Sequence, residues 1–528
     1  MRKKCWLDRP TSASFALAIV AASTLSFGAE PIRVAPSKMA RTGTVDERFQ
    51  SFNVEMVEVT GGRFWAPYKA EGSTKAEVAP GAAPSVPGLD PAAFRTRSPL
   101  DLSSPRLRKL AAALGPAYVR VSGTWANSTY FHDSDAPALA VPPSGFGGVL
   151  TRQQWKGVVE FSRAVNAKLI TSFAISGGVR DASGVWTPDQ AAKLLAFTKA
   201  IGGNIAAAEF FNEPTFAAMG GAPKGYDAAA YGRDFAVFLP FARKAAPDML
   251  ILGPGSVGEA APLGGLSVLK SEDMLQATGR GVDAFSYHFY GAVSKRCGYM
   301  AGAPQITPEA ALSEAWLSRT DRDEAFYASL RDRFEPGKPI WLTETAETAC
   351  GGNSWASTFI DSFRYLDQLG RLARRGVQVV AHNTLSASDY GLIDEATLIP
   401  RPNYWSAVLW RKLMGKTVLD AGASPVASVH LYAHCLRDHS GGVALLAINA
   451  DREAAAELST PGPSERYTLT AKTLLDPSVD LNGTELKLGA QAAMPYIKGS
   501  KARAGLVKLA PASITFLAFP TADNPSCR

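Results

Sequence analysis

Between residues 115 and 415 the chain alternates short apolar runs with Ala/Leu/Lys/Arg-rich segments such as 155–166 and 189–200. The runs are Ala117-Tyr118-Val119-Arg120-Val121, Lys168-Leu169-Ile170-Thr171-Ser172-Phe173, Ala208-Glu209-Phe210-Phe211 and Met249-Leu250-Ile251-Leu252. They continue as Ala284-Phe285-Ser286-Tyr287, Pro339-Ile340-Trp341-Leu342 and Gly376-Val377-Gln378-Val379-Val380. Strand–helix alternation of this kind predicts a parallel sheet, and about eight such units close most economically as a TIM (β/α)8 barrel. Residues 45–58 would supply the first strand, so the predicted barrel covers 45–415. The stretch 61–99 is heavy in Gly, Pro, Ala and Ser and reads as a surface insertion. From residue 416 the pattern changes. Val429–Leu436, 442–449, 467–473 and Ser513–Phe519 are rich in Val, Leu, Ile and Thr with turn residues between them. They predict a C-terminal β-sandwich over 416–528, to which 29–44 could add a strand.

Composition places this α/β chain among ordinary globular proteins, with 46% hydrophobic and 20% charged residues. The net charge of +7 is modest, and the first 28 residues carry +3 of it. Such a balance suits an acidic substrate but gives no basis for nucleic-acid binding. Arg2-Lys3-Lys4, the apolar run from Phe15 to Leu25, and Ser26 and Gly28 after it read as a signal peptide over 1–28. That run is shorter than the roughly 20 residues a bilayer span needs. The expectation is an exported protein, periplasmic or extracellular, with no membrane span. Beyond Cys5 the chain has Cys297, Cys350, Cys435 and Cys527. Four cysteines in an oxidising compartment allow three pairings. None has zinc-site spacing, and no phosphate loop, dinucleotide fingerprint or His-Glu-x-x-His occurs, so neither a cofactor nor a metal is expected.

Two glutamates carry the candidate chemistry. Ala208-Glu209-Phe210-Phe211-Asn212-Glu213-Pro214 reads as a strand ended by a proline that cannot continue a ladder, leaving Glu213 at the rim of the barrel. Asn212 beside it suits a sugar 2-hydroxyl. Three strand–helix units later, Ile340-Trp341-Leu342-Thr343-Glu344-Thr345 delivers a second glutamate to a strand end. Fourth and seventh strands face each other across a barrel mouth. Paired carboxylates there are what a retaining glycosidase uses, one protonating the leaving oxygen and the other attacking the anomeric carbon. A strand-end glutamate taken singly is as readily a structural residue; the pair is not.

These residues resemble the heparanase and β-glucuronidase group, glycoside hydrolase family 79 of clan A. The resemblance runs from about residue 45 to the C-terminus. Its carriers are Phe211-Asn212-Glu213-Pro214-Thr215-Phe216, Trp341-Leu342-Thr343-Glu344-Thr345 with Cys350-Gly351-Gly352, and Asp389-Tyr390-Gly391-Leu392-Ile393-Asp394-Glu395 followed by Pro402-Asn403-Tyr404-Trp405. It implies Glu213 as acid/base and Glu344 as nucleophile, with His288 and Tyr290 beside them and the Tyr290 hydroxyl orienting Glu344. It further implies Glu55, Asn127 and Glu259 as contacts to sugar hydroxyls. Gly351, Gly352 and Tyr390 would meet a uronic acid carboxylate, the glycines by exposing backbone N–H groups. One departure is that Cys350 stands where many relatives place a tyrosine. The resemblance implies a Cys435–Cys527 disulfide, which leaves Cys297 and Cys350 as the other pair. His382 and Asn383 end the eighth strand and could line the pocket, whereas Trp405 reads as a packing residue of a helix with Val408, Leu409 and Leu413.

The reading that follows is a monomeric, exported retaining enzyme acting on uronic-acid-containing oligo- or polysaccharides, without nucleic-acid partners. Two rivals stand beside it: a clan relative cleaving neutral sugars such as xylosides or arabinosides, and a catalytically silent glycan-binding protein.

Overall fold

In the computed structural model, residues 30–68, 93–260, 268–298 and 302–528 are described. The expected signal peptide and the middle of the 61–99 insertion lie outside them. Eight parallel strands form a closed barrel: β1 (Gln50–Glu55), β2 (Ala117–Ser122), β3 (Ala167–Ser172), β4 (Ile205–Glu209), β5 (Leu250–Ser256), β6 (Ala284–Phe289), β7 (Ile340–Thr345) and β8 (Val379–His382). Each pairs with its neighbour in sequence, and β8 closes on β1. These strands read as nearly continuous apolar runs because both faces are covered, by helices outside and by the barrel's own filling inside.

Alternation along the strands sorts that filling into layers. Tyr118, Ile170, Ala207, Leu252, Ala284, Trp341 and Val379, one from each of β2 to β8, form an apolar seal across the interior. Two residues further along, the same inward face presents Arg120, Ser172, Glu209, Ser286 and Thr343, all buried. The outward face of the same strands, Val119 and Val121 on β2 for example, joins the main core beneath the helices. The barrel therefore has an apolar floor, a polar middle and, above it, the mouth.

Beyond the barrel, Met414–Leu419, Val429–Leu436, Val443–Asn449, Ser513–Phe519 and Ser464–Thr470 lie side by side in one antiparallel sheet. Arg41–Thr44 extends that sheet at one edge. A smaller sheet of Ile32–Arg33, Ala456–Thr460 and Gly505–Leu509 covers one face. The large sheet is buried on both sides. Val443, Leu445 and Ala447 point into the sandwich, while Ala444, Leu446 and Ile448 belong to the core shared with the barrel. Ala456–Thr460 and Gly505–Leu509 were not among the expected strands.

The seam between sheet and barrel is close. The Tyr432 hydroxyl donates to Asp367 Oδ1 at 2.6 Å, and Asp367 also accepts from Arg371 Nε at 2.6 Å within helix Ile360–Arg374. Gly370 of that helix lies flat against the tyrosine, and a Cβ there would sit 2.3 Å from the ring. Among the described residues, no helix is long and apolar enough to cross a membrane.

Gly370→Val should therefore lower stability by about 1–3 kcal/mol, since the hydrogen-bonded ring has nowhere to retreat. The urea midpoint of the variant measures it. An unchanged or higher midpoint would show that the seam relaxes freely.

Candidate active site

Arg120 is the hub of the site. It is 1% exposed, and each of its three guanidinium nitrogens donates a hydrogen bond. Nε and Nη2 donate to Glu209 Oε2 at 3.1 and 2.8 Å, Nη1 to Glu344 Oε2 at 2.8 Å, and Nη2 also to Asn212 Oδ1 at 2.7 Å. Glu209 in turn accepts from the hydroxyls of Ser286 at 2.9 Å and Thr343 at 2.7 Å. Burial alone would lift the Glu209 carboxyl. The Arg120 charge, with help from His288 and Thr343, overrides it and holds Glu209 far below the usual carboxylate range. Neither residue was singled out from sequence. The available signal was a charged residue set inside each of two apolar strand runs, since a buried ion demands a partner.

Glu344 lies at the end of β7 with both carboxylate oxygens held, Oε2 by Arg120 and Oε1 by the Tyr290 hydroxyl at 2.7 Å. Glu213 is not at a strand end. β4 stops at Glu209, and Glu213 sits four residues later with a left-handed backbone (φ 49°) just before Pro214. Its side chain keeps 18% exposure towards the pocket. His288 Nδ1 stands 3.1 Å from Glu213 Oε1 and 3.8 Å from Glu344 Oε2. One oxygen of each glutamate and one His288 nitrogen all lie within 4.8 Å of one another.

Burial raises the Glu213 carboxyl above its ordinary value. The His288 hydrogen bond opposes that rise, and the negative charge of Glu344 adds to it. For His288, burial disfavours the charged ring, but the Glu344 charge and the bonds to Glu209 and Glu213 win and raise it to about 9. Arg120 Nη2 lies 3.2 Å from His288 Nε2, and because a guanidinium can only donate, this contact opposes protonation of the ring.

The remaining candidates divide. Glu55, Asn212, Tyr290 and Tyr390 line the pocket together with Asn383, Trp65, Trp125, Phe216 and Cys350. Asn383 Nδ2 donates to Glu55 Oε1 at 3.1 Å and to the hydroxyls of Tyr290 at 3.0 Å and Tyr390 at 3.3 Å. Burial, then the Glu344 charge, pushes the Glu55 carboxyl well above its ordinary value, which favours its protonated form. Gly123 (φ +93°) makes room for it, because a Cβ there would lie 1.6 Å from Glu55 Oε2.

Six of the expected residues are not on the pocket wall. Asn127 is fully buried, and both of its polar atoms are spent on the Asn212 backbone, at 2.9 Å each, so it positions Asn212 and reaches no ligand. Glu259 is turned towards the start of helix Ser271–Thr278, where it accepts from the Ser271 N–H at 2.8 Å, and it is absent from the pocket wall. His288 is fully buried behind Glu213 and is likewise a positioning residue. Gly351 and Gly352, both at positive φ, stand behind the wall that Cys350 and Tyr390 form. Their N–H groups have no hydrogen-bond acceptor among the described residues. His382 also faces away from the pocket, its Nε2 2.8 Å from the Tyr390 carbonyl.

Cys297 is bonded to Cys350 and Cys435 to Cys527. The first bond ties the loop after β6 to the loop after β7, at the pocket edge. Glu213, His288 and Glu344 are close enough together to ligate a cation. Arg120 already supplies the positive charge that such an ion would bring.

The closed parallel barrel with its added sheet domain is a fold shared with solved glycosidases. One is a GH51 arabinofuranosidase from Xanthomonas axonopodis pv. citri, with TM-score 0.59 and 16% identity, covering 93% of this chain and 99% of that one. At that identity the likeness concerns the fold. Residues 96–370 match the model of the glycosyl hydrolase family 79 N-terminal domain. The protein is a barrel glycoside hydrolase, and within that class the chain belongs to glycoside hydrolase family 79.

Its relatives include heparanase-like protein 1 of Arabidopsis thaliana, 28% identical over 372 residues, which are 67% of this chain and 66% of the relative. The heparanase of Rattus norvegicus is 27% identical over 73% of this chain and 80% of its own. Baicalin-beta-D-glucuronidase of Scutellaria baicalensis is 34% identical over 34% of this chain and 36% of its own.

Arg120→Met should cost about 3–5 kcal/mol, because it leaves Glu209 buried without its counter-charge. Thermal melts should show a large drop for the single variant and partial recovery in Arg120→Met/Glu209→Gln. Equal melting of wild type and single variant would remove Arg120 from the centre of the structure.

Proposed function

We propose that this enzyme is a retaining glycosidase that cleaves β-glucuronic acid linkages in uronic-acid-containing glycans or glycosides, with Glu344 as nucleophile and Glu213 as acid/base. One observation carries the proposal: an oxygen of Glu213 and an oxygen of Glu344 lie within 4.8 Å of each other. Retention needs carboxyls about 5–5.5 Å apart, whereas inversion needs about 6.5–9.5 Å to admit a water.

The surroundings divide the labour. Glu344 is fixed at both oxygens by Arg120 and Tyr290, which aims it at the anomeric carbon. Glu213, raised by burial and by the Glu344 charge, is suited to hold a proton for the leaving oxygen. When Glu344 attacks, the ester it forms is uncharged. One of the influences raising Glu213 thereby disappears, and Glu213 becomes the carboxylate that takes a proton from the incoming water. His288 can hydrogen-bond that carboxylate as it forms. Asn212 Oδ1 is fixed by Arg120, which leaves its Nδ2 to donate to the sugar 2-hydroxyl.

For the uronic acid carboxylate, support comes from the Tyr390 hydroxyl on the wall. In the protonated form that burial favours, Glu55 would not repel an anionic sugar. The relatives named heparanase and glucuronidase point to the same sugar. One observation favours a neutral sugar instead: the described pocket wall carries three glutamates and no Lys or Arg. Comparing aryl glucuronide with aryl xyloside hydrolysis decides between them. Export belongs to the same proposal, supported by two disulfides of the kind that form in oxidising compartments.

Glu344→Gln should lower kcat on an aryl glucuronide by roughly 10⁴–10⁶-fold while substrate still binds. Turnover near wild type would end the mechanism. Glu213→Ala should lose about 10²–10⁴-fold on substrates with poor leaving groups and much less on a dinitrophenyl glycoside, with azide restoring turnover. A loss independent of the leaving group would assign Glu213 another role.

The pH profile follows from the first step, which needs Glu213 protonated. As pH rises through the Glu213 pKa, which stands above 4.5, kcat/KM should fall. That alkaline limb should vanish in Glu213→Gln, and its persistence there would assign it to another group.

A further inference from the structure

The two ends of the pocket differ. From Glu213 one wall runs through Phe216, Met219 and Gly220, on the loop that follows it, to Val257, whose N–H and carbonyl are both bonded to Thr215. This is the side of the departing group, because the acid stands there. From Glu344 the other wall runs through Tyr290, Asn383 and Tyr390 to Cys350, with Gly352 packed behind Tyr390, where a Cβ would lie 3.1 Å from the Tyr390 side chain. This is the side of the bound sugar. A chain extended at its non-reducing end would have to leave past the Tyr390 and Cys350 side of the wall.

That exit is covered. Strands Gly62–Trp65 and Phe94–Arg97 form a hairpin that begins just after β1. Trp65 lines the pocket, stacks on Phe94 at 4.5 Å and sits directly on Gly351. Residues 66–68 then cross to the loops after β6 and β8, where Arg296 holds them. Its guanidinium lies 4.1 Å above the Tyr68 ring and bonds the Ala66 carbonyl, Asp389 Oδ2 at 2.6 Å and the Gly352 carbonyl at 3.3 Å. The Arg296 N–H donates to the Tyr68 hydroxyl at 3.1 Å, and the Tyr68 N–H donates to Asp389 Oδ2 at 3.1 Å. Cys297, the next residue, is tied to Cys350. At its base the hairpin is anchored by Arg95 and Arg97 to Glu395.

We propose that Trp65 and the crossing of residues 66–68, clamped by Arg296, close the sugar end of the pocket, so that the enzyme is exo-acting and takes only terminal uronic acid residues. The inference rests on the glucuronidase reading above. Arg296 acts as a positioning residue; Trp65 is the wall.

The test compares the full-length enzyme on 4-nitrophenyl β-glucuronide and on the same glycoside carrying an N-acetylhexosamine on its 4-hydroxyl. The extended substrate should show kcat/KM at least ~30-fold lower, since it clashes with the wall. A smaller gap overturns the inference and leaves the glucuronidase reading standing. No hydrolysis of the simple glucuronide overturns the glucuronidase reading and the inference with it.

Arg296→Met and Tyr68→Ala should each raise the extended-to-simple ratio of kcat/KM by at least ~5-fold. Tyr68→Ala is the milder of the two, should Arg296→Met fail to fold. A merely structural role would lower both rates together and leave the ratio where it was. An unchanged ratio in folded variants removes the clamp from the explanation.

Discussion

One buried cation organises this protein. Arg120 stands above the apolar seal of the barrel and satisfies Glu209, Asn212 and Glu344 at once. In a medium of low polarity a carboxylate without a counter-charge takes up a proton instead of remaining an anion. The guanidinium keeps Glu209 ionised beneath the site and braces Glu344 above it. Its planar fork matters as much as its charge, because three acceptors in different directions are met by one rigid group. The same contact therefore serves barrel stability and the geometry of the reaction. The polar layer can exist only because the strand alternation puts Tyr118, Ala207, Ala284 and Trp341 one step below it, sealing it from the barrel's lower end.

Most of the barrel was legible in the sequence because buried parallel strands are uniform apolar runs, and so were Val429–Leu436 and Ser513–Phe519, buried along their lengths. Ala456–Thr460 and Gly505–Leu509 escaped notice. They belong to the small outer sheet, expose alternate residues and carry no such run. Glutamates 213 and 344 could be found from their neighbours, but the left-handed turn that places Glu213 could not, since nothing local marks a non-glycine residue for positive φ.

Direction was the harder part. Asn127, Glu259 and His288 were recognisable as polar residues near the mouth. Whether such a side chain meets a ligand or a neighbouring backbone depends on contacts some 12 to 85 residues away. The insertion misled through its average composition: its tips are poor in apolar residues, yet Phe64, Trp65 and Phe94 at its roots reach the pocket wall or the core. The family resemblance supplied roles for the glutamates. Only the folded chain separates residues that touch substrate from those that hold other residues still.

Arg41–Thr44 lies against Met414–Leu419, and Ile32–Arg33 against Ala456–Thr460. Asn524 closes the same region by donating to the carbonyls of Pro36 and Met39 at 2.7 and 2.8 Å. During synthesis these two strands must therefore wait, unpaired, until partners far along the sequence have emerged. Strand edges left open for that long invite association with other chains. Final maturation is thus a late, long-range event, in which segments far apart in sequence meet and the Cys435–Cys527 bond fastens the region beside Asn524.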